Sequence, residues 1–368
     1  MAYSQNQIIN NLPAIGQRLT PTLSAKGDPL IFVDMPEVLY SNVNYTSGMK
    51  ASYRDTVNGR FRLMYYHQNR TGKTLYYCIA FSNTSSRAID IDWGRIGIGE
   101  NRDAAALGKD LQSDWYNMSS TYNRWGTVPA NKTKYFTIRT VPNTYTGACM
   151  IDFKVSASIT VTIIITDTPP ENDVNNGVNS SPILNAGILP WIEKRTVIDA
   201  EGKEKEETIG ITRGKWDHNT LTGSLTYLGT NGNQHVTLGN DPRQGASCQW
   251  LTGEKINGRS AVDNNKVVTN YGNYAVEYQL SVSVKNPWSG YRYLDTIFFD
   301  LIHAGNQNDF YSYFVGQVNG STRVSPKHVN SRTKGWVLDK RLPGTYTLSA
   351  MVSAGSNHPL ALLFVSDN

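Results

Sequence analysis

Six histidines, His67, His218, His235, His303, His328 and His358, are the residues of this chain best suited to metal binding or proton transfer, and each stands alone in the sequence. A centre built on one element needs an HxH or HExxH pair; neither occurs, so any ligands would have to converge from distant strands. Asp90, Asp92, Asp295 and Asp300 lie on predicted strands and could supply the paired carboxylates of a glycoside hydrolase. Asp90 and Asp92, however, alternate with Ile89, Ile91 and Trp93, which is the wet face of an ordinary strand. Asp152 and Glu277 read the same way. No GxSxG elbow and no catalytic cysteine signature is present. Gly94-Arg-Ile-Gly-Ile-Gly99 has the look of a phosphate loop, but its glycines follow neither GxGxxG nor a Walker lysine spacing, and no βαβ pattern surrounds it. These residues predict a protein that is not an enzyme and has no cofactor and no metal.

Cysteine chemistry leaves two arrangements open. Cys78, Cys149 and Cys248 are too far apart for a CxxC motif, and their number is odd. They are either buried free thiols or a Cys78–Cys149 bridge that leaves Cys248 for a neighbouring subunit. The second arrangement suits a covalently linked assembly outside the cytosol. Aromatic residues are the stronger lead, because 21 Tyr and 8 Trp exceed what two cores need. Trp125, Trp288 and Tyr291 fall among Asn and Gly in predicted turns, where exposed rings stack on sugars or anchor interfaces. Plugging the end of a β-sandwich would use the same residues.

The elements that must position these groups are strands. From Ala275 to Val284 the apolar Val276, Tyr278, Leu280, Val282 and Val284 alternate with Glu277, Gln279, Ser281 and Ser283, the period of a half-buried strand. Similar segments recur at 60–66, 75–81, 88–93, 135–141, 149–153, 158–165, 293–302, 345–352 and 360–365, with turn residues between them. One helix is expected from Asp103 to Tyr116, capped by Asn101 or Asp103, with Leu107, Leu111 and Trp115 at four-residue spacing. It should cover one end of a sandwich. The pattern predicts an all-β fold of two β-sandwich domains, Ig-like or jelly-roll, with one short helix. Residues 1–30, punctuated by Leu12-Pro13, Thr20-Pro21 and Asp28-Pro29, read as an extended N-terminal arm. The first sandwich is expected over 31–166, a Pro- and Asn-rich linker over 167–182, and the second sandwich over 183–368.

A net charge of +5 with scattered Lys and Arg argues against a nucleic-acid surface. No run of about 18 apolar residues exists, so no membrane insertion is expected. The opening Met1-Ala-Tyr-Ser-Gln lacks the basic-then-apolar order of a secretory signal, so the expectation is either a leader already trimmed away or synthesis in the cytosol followed by lysis or assembly inside a cell.

With Tyr65-Tyr66-His67-Gln68-Asn69, Arg213-Gly214, Leu238-Gly239-Asn240, Asn270-Tyr271-Gly272-Asn273-Tyr274 and Gly355-Ser356-Asn357-His358-Pro359-Leu360, the chain resembles β-rich surface proteins of spore-forming Firmicutes. Those proteins are often carried beside copper-amine-oxidase-type N-terminal domains. The resemblance runs from about residue 38 to 365 and implies a bacterial envelope or spore-surface setting. It carries no oxidase chemistry, since Tyr271 is followed by Gly272, Tyr274 by Ala275, and HxH is missing. The resulting expectation is a structural, self-assembling subunit at the cell or spore surface, a homo-oligomer or polymer joined through its arm and sheet edges. A glycan-binding adhesion module and a phage structural protein are the alternatives.

Overall fold

Two strands of 21 residues each, Lys50–Arg70 and Thr146–Thr166, run antiparallel along nearly their whole length and organise the first half of the chain. The computed structural model describes residues 3–41, 49–170, 184–191, 194–198, 203–208, 212–285, 293–300, 313–326, 334–354 and 359–366. Between Val155 and Ile159 the register of the long pair shifts, and there the ribbon bends. On one side of this break, residues 160–166 pair with 76–82; on the other, residues 146–155 pair with 91–101. The sheet thereby doubles over. Phe153 meets Phe81 at 5.2 Å and Phe136 at 5.0 Å, ring to ring across the enclosed core.

The second sandwich consists of two six-stranded sheets. One runs Ile8–Ile9, Gly335–Arg341, Leu294–Asp300, Leu360–Ser366, Gln234–Leu238, Gln17–Arg18; the other runs Ser321–Val324, Val315–Val318, Gly344–Ala350, Glu277–Lys285, Thr220–Leu228, Leu23–Lys26. The expected strand at 275–284 is Glu277–Lys285, parallel to Thr220–Leu228 and antiparallel to Gly344–Ala350. Tyr278, Leu280, Val282 and Val284 are buried and share a core with Val236, Leu338, Leu362 and Phe364 of the facing sheet. The fold is all-β with one α-helix among the described residues.

Domain boundaries do not follow the expected division. Beyond Lys50–Arg70 the large sheet continues through Leu30–Val33, Arg213–Trp216, Asn257–Ser260 and Lys266–Thr269, so residues past 183 complete the first sandwich. The N-terminal arm, in turn, completes both sheets of the second. Most of the expected linker, residues 171–182, lies outside the described residues. A composition break marks a polar connection, but strand pairing is non-local, and a four-residue strand such as Arg213–Trp216 is placed by its neighbours.

The helix spans Ala104–Asn117, with Asp103 as its N-cap accepting from the amides of Ala105 and Ala106 at 3.0 Å. Its buried stripe is Leu107, Leu111 and Trp115 with Gly108 and Gln112. Rather than covering one end of a sandwich, it lies between the two, against Ile89–Asn101 and Thr146–Thr166 on one side and Val315–Val318 and Ser321–Val324 on the other. That position explains why Gly97 and, on the helix itself, Gly108 carry no side chain. A Cβ on Gly97 would sit 2.1 Å from the Leu111 carbonyl oxygen, and one on Gly108 would sit 1.8 Å from that of Ala354.

Arg62 fastens the two sandwiches at this junction. Leu63 and Tyr65 face the first core, whereas Met64 and Tyr66 face the shared core, because successive strand residues point to opposite sides. Arg62 projects to the shared side, 3% exposed. Its Nε donates to Asp152 at 2.7 Å and its Nη1 to the Ala275 carbonyl at 2.9 Å, with the guanidinium over the Trp115 ring at 4.3 Å. Replacing it leaves Asp152 largely buried without a counter-charge, which costs about 3–5 kcal/mol. Arg62→Ala is therefore expected to lower the unfolding free energy by that amount in a urea titration; a loss below about 1 kcal/mol would contradict the assignment.

Candidate functional site

The arm has no hydrophobic period because its strands are only two to four residues long, yet it is held at each of them. Ile8–Ile9 pairs antiparallel with Trp336 and Gly335, and beside it Asn6 N donates to Val337 O and Val337 N to Gln7 O, both at 2.9 Å. Gln17–Arg18 pairs parallel with Gln234 and His235, and Leu19 N donates to His235 O at 2.7 Å. Leu23–Lys26 pairs antiparallel with residues 220–223. Ile9 and Leu23 are buried anchors; Tyr3, Leu12 and Ile15 pack with Ile9 over the outer face formed by Ile297, Phe299, Val337 and Leu363. The arm thus closes both edges of one sheet and one edge of the other, satisfying main-chain groups that would otherwise template pairing with another chain. In the single chain it lies on its own body.

Arg18 and His235 form the latch at the middle of the arm. Arg18 Nε donates to Thr237 Oγ1 at 3.0 Å, and its Nη2 donates to Gln249 O at 2.6 Å. His235 Nδ1 lies 3.1 Å from Ile15 O, and its ring sits edge-on to Phe299. Burial holds the His235 pKa below its ordinary value; the Ile15 carbonyl opposes this and the Arg18 charge reinforces it. Between the arm and the last strand lies a cleft of about 550 Å³ lined by Tyr3, Gln7, Asn11, Asn233 and Ser366 among others.

Three further outer strands carry charged side chains. Lys132–Val141 carries Lys132, Lys134 and Arg139, and Ser321–Val324 carries Arg323. Lys266–Thr269 is the most open, with Val267 57% exposed beside Lys266. Charged or very short outer strands resist unintended pairing.

The residues singled out for chemistry are dispersed. Asp90 and Asp92 share Arg124, whose Nε is 3.1 Å from Asp92 and whose Nη1 contacts Asp90. The Thr127 hydroxyl first, and Arg124 second, hold the Asp90 carboxyl below its usual range. Asp152 is committed to Arg62, and buried Asp295 has Lys340 Nζ at 3.5 Å. His67 is fully buried, its Nδ1 2.7 Å from Pro36 O, and burial pushes its pKa down to about 4. His303, His328 and His358 lie outside the described residues. Among the described residues no group of three His, Cys, Asp or Glu is placed to hold a metal.

All three cysteines are buried free thiols, and burial raises the pKa of each. The alternative bridge is not formed: Cys149 belongs to the first core, while Cys78 packs with Ala80, Tyr135 and Ile164. Cys248 is fully buried and presents no thiol to a neighbour in this arrangement. Trp125, expected as an aromatic contact, packs its ring against Phe81 at 6.0 Å and Phe136 at 5.1 Å, helping to seal the first core. Trp288 and Tyr291 lie outside the described residues. An aromatic cluster missed in the sequence is Trp250 stacked on Tyr271 at 5.9 Å, with Lys255 over Trp250 and Arg243 over Tyr271 at 4.9 and 3.6 Å. The chain's own cations cover rings that a sugar would use, and only the three-dimensional meeting of residues 243–255 with 271 reveals it.

Docking of the arm is expected to depend on pH through His235, and the sign follows from the direction in which burial moves that group. The docked form disfavours the proton, so its contribution is fully present above the ordinary value of 6.5 and is lost as pH falls below it. Hydrogen-exchange protection at the Leu19 and Val337 amides is expected to fall on acidification, and His235→Gln is expected to remove that fall. The same acid-induced loss in wild type and variant would show that His235 is not the responsible group.

No family model matches this chain, and no curated protein matches it. Among solved structures it is similar to the CUB1-EGF-CUB2 domains of rat MASP-1, at 7% identity over 86% of this chain and 98% of that one, with a TM-score of 0.19. The corresponding domains of human MASP-1/3 give 8% identity over 85% and 99%, with a TM-score of 0.21. At such scores neither likeness bears on function. Among the described residues no helix is long and apolar enough to cross a membrane.

Proposed function

We propose that the chain is a structural, self-assembling subunit of a bacterial surface or spore-associated layer, fibre or appendage, linked through its N-terminal arm and sheet edges. The observation that carries this reading is the arm itself: one polar segment whose main chain completes three sheet edges in defined register. Main-chain pairing at a sheet edge is a standard means by which one chain captures another. Asp90, Asp92 and Asp295, which the sequence offered as paired carboxylates, each stand beside a cation of the chain. The surface or spore setting rests on the resemblance to Firmicutes surface proteins.

A chain lacking residues 1–26 keeps Leu30–Val33, which belongs to the large sheet. It is expected to remain folded by circular dichroism and to lose ordered polymers in negative-stain micrographs of wild type and variant at equal concentration. Polymers unchanged by the deletion would contradict the assignment.

A further inference from the structure

Three residues, Gly27-Asp28-Pro29, join the arm to the body. Leu23–Lys26 before them lies on a sheet of the second sandwich, and Leu30–Val33 after them lies in the large sheet, parallel to Lys50–Arg70. The two strands flanking the joint therefore belong to different bodies. Gly27 adopts φ +86°, and a Cβ there would lie 2.3 Å from Asn219 Oδ1, so the turn is tight. The Arg62 amide donates to Pro29 O at 2.8 Å, fixing the joint on its body side.

Upstream of the joint, the arm's main-chain partners lie at residues 220–223, 234–235, 252 and 335–337, all on the second sandwich or the loop beside it. Its ladders are two, two and four residues long and are separated by unpaired stretches. Short ladders at an outer edge belong to the part of a fold that opens locally before the rest. Any second copy presents the same edges in the same register, and a short joint between a removable segment and its body is the geometry that favours exchange.

We propose that residues 3–26 form an exchangeable clip, which leaves its own second sandwich by turning at Gly27–Pro29 and makes the same three pairings on a second copy. The proposal rests on the self-assembly reading above and names the partner surface for it. Reciprocal exchange closes a dimer; one-way donation continues as a chain. Since the contacts are identical in both locations, protein concentration set against the local concentration enforced by the joint decides between them.

Ser24 and Thr222 face each other in the antiparallel ladder, and neither is buried. One chain carrying Ser24→Cys and a second, size-tagged chain carrying Thr222→Cys are mixed at high concentration and oxidised, with wild type as the control for native thiols. The expected product is a disulfide-linked heterodimer on a non-reducing gel. It should be lost when the arm is first locked by Ser24→Cys and Thr222→Cys in one chain. Closure within the double variant combined with no heterodimer from the mixture would overturn the exchange, and failure of the double variant to close would overturn the register on which it rests. Micrographs of the mixture separate this result from the function. Polymers without cross-links would sink the exchange and leave self-assembly standing, whereas cross-linked dimers without polymers would support exchange and remove the polymer.

Discussion

The burial of Arg62 is the constraint on which the rest of the structure depends. A guanidinium removed from water is tolerated only with its charge matched and its donors satisfied. Here Asp152 provides the charge, the Ala275 carbonyl accepts from Nη1, and the face of Trp115 covers the plane. Those groups come from the bent ribbon, from the turn before the central strand of the second sandwich, and from the helix. One side chain therefore requires three parts of the chain to meet at one place. Arg213 repeats the arrangement nearby, bonding Asp263 through two nitrogens and the Ser52 and Leu189 carbonyls through a third.

This junction determines what is free to move. With both sandwiches fixed around the helix, the Arg62 amide also holds Pro29, so the arm begins from a defined point. Everything before that point is held by short ladders, a few apolar anchors and the Arg18–His235 latch. Rigid body and removable edge segment are thus separated by three residues. Assembly by edge pairing requires that division, because a subunit must keep its shape while offering main-chain groups to a neighbour.

Strand content was legible wherever one face is buried and the other wet. Glu277–Lys285 shows this from Tyr278 onward, although Glu277 itself, expected on the wet face, is buried; the helix was legible from Asp103 and the Leu107, Leu111, Trp115 spacing. Segments buried on both faces carried a different signal, visible in the unbroken apolar run Leu63-Met64-Tyr65-Tyr66, whose alternate residues serve two cores. Sheet membership was not legible. Arg213–Trp216 and Asn257–Ser260 are too short for a period, and their place in the first sandwich follows from long-range pairing alone. The arm was legible as extended and polar, but its docking rests on main-chain bonds that leave no pattern in side chains. Trp125 shows a related limit: a turn-like neighbourhood in sequence is a strand in the fold, and the half-buried ring takes the core-closing one of the two uses its context left open.

The proposed joint between copies is the arm together with the edges it covers. Cryo-electron microscopy of the protein at high concentration tests it most directly. Repeating subunits are expected, with density for residues 3–26 of one copy running along strands Gln234–Leu238 and Gly335–Arg341 of the next. Isolated particles, each with its arm on its own body at every concentration reached, would contradict it.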